Sequence, residues 1–251
     1  MRNPALLALL LLPTACEAAP RQVTRQQPSP CTVHSFEGSN FTACSVKRGK
    51  VEVRTTASNT VPYRSFAALQ TMLGTRSERV AFAMNAGMFD ENGNAIGLLI
   101  EDGKQLHPLN LRKGGGNFHL LPNGVFLVRK NGSAEVVASN AFEPSKEIAF
   151  ATQSGPMLVI DGKLHPRFDA DGTSRYIRNG VGVAPDGTPV FVISNDMVSF
   201  GKFARLFRDQ LNVRNALYFD GSVSSLWDPA NGRMDSFVPI GPMVVVFKAE
   251  A

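Results

Sequence analysis

Short apolar segments separated by polar turns make up most of the chain after residue 30. Segments of this length, alternating or fully apolar in character, are typical of β-strands. They predict strands at 41–45, 51–55, 80–84 and 216–219, and the turn residues between apolar segments predict hairpins at 122–124, 131–132 and 185–187.

Two segments have apolar residues at helical spacing instead. Ser65 is predicted to cap a short helix over 65–73 that ends at Gly74, with an apolar stripe of Phe66, Leu69, Met72 and Leu73. Ser199 is predicted to cap a second helix, with a stripe of Phe200, Phe203, Ala204, Phe207 and Leu211. Many short strands with two or three short helices predict an α+β fold, a single domain of mixed β-sheet with repeated hairpins over residues 31–251.

The chain also repeats itself. Residues 97–108 match residues 155–166 with one insertion, each with an Asp-Gly turn between apolar segments, and the first half recurs at 240–246. Such repetition predicts that equivalent strands lie together and present their polar loops to one place.

Residues 1–19 are typical of a signal peptide: Arg2 precedes an apolar run too short to span a bilayer, and small residues follow. The sequence LPTAC at 12–16 resembles a lipoprotein signal with Cys16 as the lipidated residue, although Pro13 departs from that pattern and favours a soluble product. Residues 20–30 are predicted to be a flexible leader. We expect an exported protein, periplasmic or extracellular, with a lipid anchor at Cys16 as the alternative and no later membrane segment.

Export makes the cysteines informative. With Cys16 set aside, Cys31 and Cys44 remain, and an oxidising compartment predicts a disulfide between them. The net charge of +5 is spread along the chain without a basic cluster. Nucleic acid is therefore not an expected partner, whereas an anionic ligand is compatible with this charge. The oligomeric state is not indicated.

Several chemical motifs are missing. The four His residues show no metal-binding spacing, and residues 90–94 resemble a calcium loop with a misplaced glycine. Residues 221–225 are not the G-x-S-x-G elbow of serine hydrolases, and no His is placed to serve Ser222 or Ser224. We therefore predict no cofactor, with a divalent cation at Asp220 as an open alternative.

Polar residues nevertheless collect at the predicted strand ends. The stretch 215–227 runs from an apolar strand into a carboxylate, a glycine and three hydroxyls. The candidate binding residues are Asn85, Ser154, Asn179, Asn195, Gly221, Ser222, Ser224 and Ser225, and the candidate catalytic residues are Arg178, Asp196 and Asp220. Hydroxyls and amides beside carboxylates suit a sugar, and the planar fork of Arg suits phosphate. Singly, these residues have structural interpretations: a polar turn at Asp220, an ion pair at Arg178 and a helix cap at Asp196.

Four of these segments resemble the phosphodiester glycosidase family. NAGMF at 85–89 is similar to the family's N-G-G-F-F, and SGPML at 154–158 to its G-P-x-L strand. RNGVG at 178–182 is similar to R-T-A-x-G, and DGSVSS at 220–225 to D-G-G-G-S-S. The departures, at 179–180 and 222–223, are typical of a bacterial exported branch whose substrate differs.

The resemblance implies an enzyme that hydrolyses the glycosidic bond of a sugar-1-phosphodiester and releases the sugar and a phosphomonoester. It assigns the phosphate to Arg178, the anomeric centre to Asp220 as nucleophile or base, and the role of second carboxylate to Asp196. The alternative is a non-catalytic envelope module that binds glycan or sugar phosphate, and the two substituted motifs motivate it.

Overall fold

The computed structural model describes residues 28–56 and 61–249. The segment predicted to be a signal peptide, with Cys16, and residues 20–27 of the predicted leader lie outside the described residues. No helix of the described part is long and apolar enough to cross a membrane.

Seventeen strands and two α-helices form the described fold, which confirms the α+β class. The strands are β1 Cys31–Phe36, β2 Ser39–Cys44, β3 Lys50–Arg54, β4 Val80–Asn85, β5 Leu99–Glu101, β6 Lys104–His107, β7 Gly124–Arg129, β8 Ala134–Ala138, β9 Ile148–Ser154, β10 Met157–Ile160, β11 Lys163–Leu164, β12 Asn179–Val183, β13 Pro189–Ser194, β14 Ala216–Tyr218, β15 Leu226–Asp228, β16 Arg233–Met234 and β17 Met243–Phe247. The helices are α1 Phe66–Leu73 and α2 Phe200–Arg205, the second continued by a π-helical turn, Leu206–Gln210.

The strands form three antiparallel sheets. The largest has seven strands in the order β1-β2-β13-β12-β14-β10-β11. The β4 sheet has the order β16-β15-β4-β17-β3, and the β9 sheet has the order β6-β5-β9-β7-β8. The disulfide predicted between Cys31 and Cys44 is present and joins the paired ends of β1 and β2.

The central core lies where the three sheets meet. Phe191 of the seven-stranded sheet packs edge-on against Phe82 of the β4 sheet and Phe126 of the β9 sheet, each at a centroid distance of 5.5 Å. All three rings are fully buried. Because neighbouring side chains of a strand point to opposite faces, each sheet has a second apolar face that other segments cover.

The two helices cover two of these outer faces. α1 packs on the β4 sheet, and the Ser65 hydroxyl accepts from the Ala68 amide at 3.1 Å, as the predicted cap requires. The prediction for Met72 is wrong: it is 50% exposed on the solvent side of α1. α2 packs on the seven-stranded sheet and is capped by Ser199, as predicted.

The predicted Asp-Gly turns are confirmed, because Asp102, Gly103, Asp161 and Gly162 all have positive φ between paired strands. The predicted hairpin at 122–124 is wrong: residues 121–122 form a cis X-Pro bond that precedes β7. The repeated strands also do not lie side by side. β5, β10 and β17 belong to three different sheets, so the prediction that the repeated strands lie together is wrong.

Candidate active site

Two asparagines join the seven-stranded sheet to the β4 sheet. Asn179 opens β12 and Asn85 ends β4, and both side chains are buried. The Asn179 amide Nδ2 donates to both the backbone oxygen and the side-chain Oδ1 of Asn85, each at 2.9 Å. Segments that are 94 residues apart in sequence therefore meet at this point.

Asn85 also holds the loop that follows β14. Its Nδ2 donates to the backbone oxygen of Asp220 at 2.7 Å, and its Oδ1 accepts from the backbone amide of Ser225 at 2.8 Å. The Asp220 amide donates to the Ala86 oxygen at 2.9 Å. Asn85 and Asn179 thus point inward and position the loop, so neither side chain faces the cavity described below.

The loop itself is a single 3-10 turn, Gly221–Val223, capped by Asp220, whose Oδ1 accepts from the Ser222 amide at 3.1 Å. The Ser224 hydroxyl contacts the Asn179 Oδ1 at 3.1 Å, and the Ser225 hydroxyl donates to the Val223 oxygen at 2.7 Å. These two hydroxyls are committed to the loop, whereas the Ser222 side chain is exposed.

Arg178 is the most unusual residue of the site, because it is a buried cation, only 1% exposed, with no carboxylate partner among the described residues. Its Nε donates to the Val198 oxygen at 2.8 Å, one terminal nitrogen to the Ser174 oxygen at 2.9 Å, and the other to the Tyr218 hydroxyl at 3.2 Å. The guanidinium lies 3.6 Å above the Phe200 ring. Burial lowers the pKa of Arg178, but an arginine side chain keeps its charge at any physiological pH.

These contacts correct one expectation. The guanidinium fork predicted to grip a phosphate is largely occupied by Val198, Ser174 and Tyr218. Arg178 therefore supplies positive charge at the wall of the site and orients the hydroxyls of Tyr218 and Ser174 that it contacts.

Tyr218 has one of these hydroxyls. Its phenol oxygen accepts from Arg178, and the Gly221 backbone packs so closely against it that a Cβ at position 221 would collide with the hydroxyl. Glycine is required at 221 for this reason. Burial raises the pKa of Tyr218, and the Arg178 charge opposes that shift. A neutral phenol whose oxygen already accepts from Arg178 has its own proton available for a ligand.

These groups lie at the wall of an open cavity of about 970 Å³. The predicted residues that line it are Arg178, Asn195, Gly221, Ser222, Ser224 and Ser225. Further lining residues that the sequence did not single out are Asn117, Ser174, Tyr176, Met197, Tyr218, Arg233, Asp235, Phe237 and Val238. The wall of the cavity thus combines the Arg178 cation, several hydroxyl groups and the Arg233–Asp235 ion pair.

The carboxylates are arranged differently from the prediction. Asp220 is half-buried directly before the lining turn and is not itself among the lining residues; burial raises its pKa while the Ser222 amide opposes the shift. Asp196 does not line the cavity; it is exposed, and its Oδ2 accepts from the Asn40 amide at 2.7 Å. The helix cap considered for Asp196 belongs to Ser199. The lining carboxylate is Asp235, which pairs with Arg233 at 2.7 Å.

Two further predicted residues have other surroundings. Ser154 ends β9, is fully buried and does not line the cavity, and its hydroxyl has no hydrogen-bond partner in the part of the chain that the structure describes. Asn195 lines the cavity, with its Oδ1 accepting from the Thr42 hydroxyl at 3.0 Å. No group of three or more His, Cys, Asp or Glu residues in the described ranges is arranged to hold a metal ion.

Sequence reasoning missed Tyr218 and Asp235 for identifiable reasons. Tyr218 lies within the apolar segment 216–219 and has the pattern of a core residue. Arg233 and Asp235 follow a glycine and have the pattern of an exposed turn. The signal that could have identified them is the pair of opposite charges, Arg233 and Asp235, between two apolar segments.

The chain is thus an α+β protein of antiparallel sheets with an open polar cavity between the seven-stranded sheet and the β4 sheet, and comparison with known proteins identifies its family. A family model described as phosphodiester glycosidase matches residues 78–247, which is more than half of the chain. The chain belongs to the phosphodiester glycosidase family, which confirms the resemblance found in its motifs.

The chain is also similar to individual proteins and solved structures. YigE of Escherichia coli K12, described as uncharacterized, is 44% identical over 149 residues; the match covers 59% of this chain and 58% of YigE. The zebrafish N-acetylglucosamine-1-phosphodiester alpha-N-acetylglucosaminidase catalytic domain, auto-inhibited by its pro-peptide, has a TM-score of 0.60 at 16% identity, covering 88% of this chain and 82% of that one. An exported Burkholderia pseudomallei protein has a TM-score of 0.50 at 10% identity, covering 83% and 74%. At these identities the two structures establish a shared fold.

Proposed function

We propose that this protein is a hydrolase that cleaves the glycosidic bond of a sugar-1-phosphodiester and releases the sugar and a phosphomonoester. The observation that carries the proposal is Arg178, a buried cation at the cavity wall that has no carboxylate partner within residues 28–56 and 61–249. A buried charge without a counter-ion is costly, on the order of several kcal/mol. An anionic ligand would offset that cost, and family membership makes a phosphodiester the natural anion.

The phosphate is placed over Arg178, within reach of the hydroxyls that line the same wall. Ser222 is exposed there, and Tyr218 has its proton available because its oxygen already accepts from Arg178. Ser174, which also contacts Arg178, adds a third hydroxyl. Preorganised donors around a fixed positive charge stabilise the charge that grows on a departing phosphate.

Asp220 is proposed as the general base. In the reaction a water oxygen bonds to the anomeric carbon, the bond from that carbon to the phosphate oxygen breaks, and its electron pair leaves with the phosphate. The proton of the attacking water passes to Asp220. A carboxyl group whose pKa is raised by burial is suited to proton transfer. Because a phosphate monoester has its second pKa near ~6, its departure needs little assistance from a strong acid.

The Arg233–Asp235 pair is proposed to bind the sugar. Asp235 is held by three hydrogen bonds from Arg233 and one from the Leu226 amide at 2.9 Å, so its position is fixed. Rigid charged groups of this kind are suited to orienting sugar hydroxyls.

The test compares the release of phosphomonoester from a panel of sugar-1-phosphodiesters by the wild type, Arg178→Lys and Asp220→Asn. The matched control is Asp186→Asn, because the Asp186 carboxylate accepts from the Thr188 amide at 3.0 Å, just as Asp220 accepts from Ser222, but lies on an exposed turn. We expect a loss of about 100-fold or more in kcat/KM for both site variants and wild-type activity for the control.

Binding is measured on the same panel by calorimetry. Sugar-phosphate binding that Arg178→Lys weakens, with no release from any diester by the wild type, would assign the chain to the non-catalytic module instead. Full activity in Asp220→Asn with loss in Asp235→Asn would move the general base to Asp235.

We also propose that the protein works outside the cytoplasm, periplasmic or extracellular. The disulfide between Cys31 and Cys44 supports this location, because such bonds persist in oxidising compartments. Mass spectrometry of the mature N-terminus is the test: a lipid on Cys16 would identify the anchored form, and an unprocessed N-terminus would contradict export.

A further inference from the structure

One side of the cavity carries a group of exposed apolar side chains. Tyr176, Met197, Phe237 and Val238 are 60%, 66%, 85% and 44% exposed and all line the cavity; we call them the apolar rim. Ten large hydrophobic residues are exposed in the described ranges, and these four lie at this one opening. Apolar side chains clustered at the mouth of a polar pocket mark a surface that a ligand covers.

The rim is positioned by the local structure. Tyr176 and Val198 form a two-way backbone bridge, with amide-to-oxygen distances of 3.3 and 2.9 Å, which places Met197 beside Tyr176. Phe237 and Val238 follow Asp235, whose amide and carboxylate are both bonded to Leu226. Both parts of the rim are therefore attached to elements that also hold the polar site.

The rim adjoins the proposed phosphate position. The centre of the Tyr176 ring lies 5.6 Å from the Arg178 guanidinium carbon. The apolar rim therefore begins beside the charge that would hold the phosphate, and a group attached to that phosphate would have the rim as a neighbour. Met197 and Val238 offer no hydrogen-bond donor and no acceptor stronger than a thioether sulfur, which suits a hydrocarbon better than a second sugar.

We propose that the apolar rim is the subsite for an alkyl aglycone, so that the substrate is a sugar-1-phosphodiester whose other alcohol is a hydrocarbon chain. This inference rests on the proposed function for the identity of the substrate. It goes beyond it in naming the class of the leaving group and the residues that select it.

The first experiment measures binding without hydrolysis. Calorimetry compares methyl phosphate with n-octyl phosphate, below its micelle concentration, because neither probe has a glycosidic bond. We expect the wild type to bind n-octyl phosphate at least about tenfold more tightly, since each buried methylene favours binding. The double variant Met197→Ser with Phe237→Ser should lose that preference and keep its affinity for methyl phosphate. The control Met72→Ser, at another exposed methionine, on α1, should match the wild type.

The second experiment measures hydrolysis of the methyl and n-octyl esters of one sugar-1-phosphate. A preference for the octyl ester in kcat/KM that the rim variants abolish supports the proposal. Equal rates for both esters would overturn the rim subsite while leaving the hydrolase intact. Binding of n-octyl phosphate with no hydrolysis of either ester would keep the subsite and overturn the hydrolase. A wild-type dimer in sedimentation that Phe237→Ser dissociates would assign the rim to a second copy and overturn the proposal.

Discussion

Asn85 offers the sharpest test of how the site is held together, and Asn85→Ala is the perturbation. In the folded protein its side chain is 1% exposed and binds the backbone of Asp220 at 2.7 Å and of Ser225 at 2.8 Å. The alanine variant removes the hydrogen-bond partner of the buried Ser225 amide and leaves the Asp220 carbonyl with the weaker bond from the Val223 amide, at 3.3 Å. Asn179 keeps one bond, because it also donates to the Asn85 backbone oxygen.

The magnitude follows from those two groups. A buried amide left unpaired costs about 1–3 kcal/mol, and losing one of two hydrogen bonds at a carbonyl costs about 1 kcal/mol, so the variant should lose roughly 2–4 kcal/mol of unfolding free energy. That loss is a large part of the ~5–15 kcal/mol typical of a domain. At ~2–4 °C per kcal/mol for a chain of this length, it corresponds to a melting temperature lower by roughly 4–16 °C.

The assay is urea unfolding and calorimetric melting with the disulfide intact, combined with binding of inorganic phosphate. The control Asn92→Ala removes an exposed asparagine on the 90–94 turn and should change stability by less than about 0.5 kcal/mol. A double-mutant cycle with Asn179→Ala should give a coupling of about 0.5–3 kcal/mol. If Asn85→Ala were as stable as Asn92→Ala and still bound phosphate, the idea that this residue holds the loop would be refuted.

Three further changes test other parts of the structure. Because burial raises the pKa of Asp220 above its ordinary 3.8, the wild type loses stability as pH rises from that value through the folded pKa, whereas Asp220→Asn does not. The unfolding free energy of Asp220→Asn relative to the wild type, measured in urea, should therefore be higher at about pH 7 than at about pH 3.5. A difference that does not depend on pH would contradict the burial effect. Gly221→Ala places a methyl group against the Tyr218 hydroxyl and should lower stability by about 1–3 kcal/mol and weaken phosphate binding, and an unchanged melting temperature would show that the contact is not tight. Replacing Cys31 and Cys44 by serine removes a disulfide between residues 13 positions apart and should lower the unfolding free energy by roughly 3 kcal/mol. A reductant should then affect the wild type but not the variant. Equal melting temperatures of the variant and the wild type in oxidising buffer would refute this.

The fold elements were predictable where the signal is local. Ser65 and Ser199 cap the two helices as their sequence context indicates, and the Asp-Gly turns adopt the positive φ that the hairpin signal requires. These features depend on residues within a few positions of one another. Local spacing alone was not sufficient at Met72, which fits the helical period but lies just beyond the buried stripe of α1.

The candidate site was predictable in outline but not in its roles. Asn85, Arg178 and Asp220 were selected by residue type at strand ends, and the structure brings their segments together. Only the folded chain decides that Asn85 points inward, that the Arg178 fork is occupied and that Asp196 lies outside the cavity.

The sequence alone therefore determined the α+β class, the disulfide, the helix caps, the hairpin turns and the family motifs, because each depends on near neighbours or on residue identity. The tertiary structure decided which side chains face the cavity and what surrounds them. The contacts of Asn85 with Asp220 and Ser225 span 135 and 140 residues, and such separations leave no periodic signal in the sequence. Burial, which shifts the pKa of Asp220 and encloses the Arg178 cation, arises only when the sheets close around the same core.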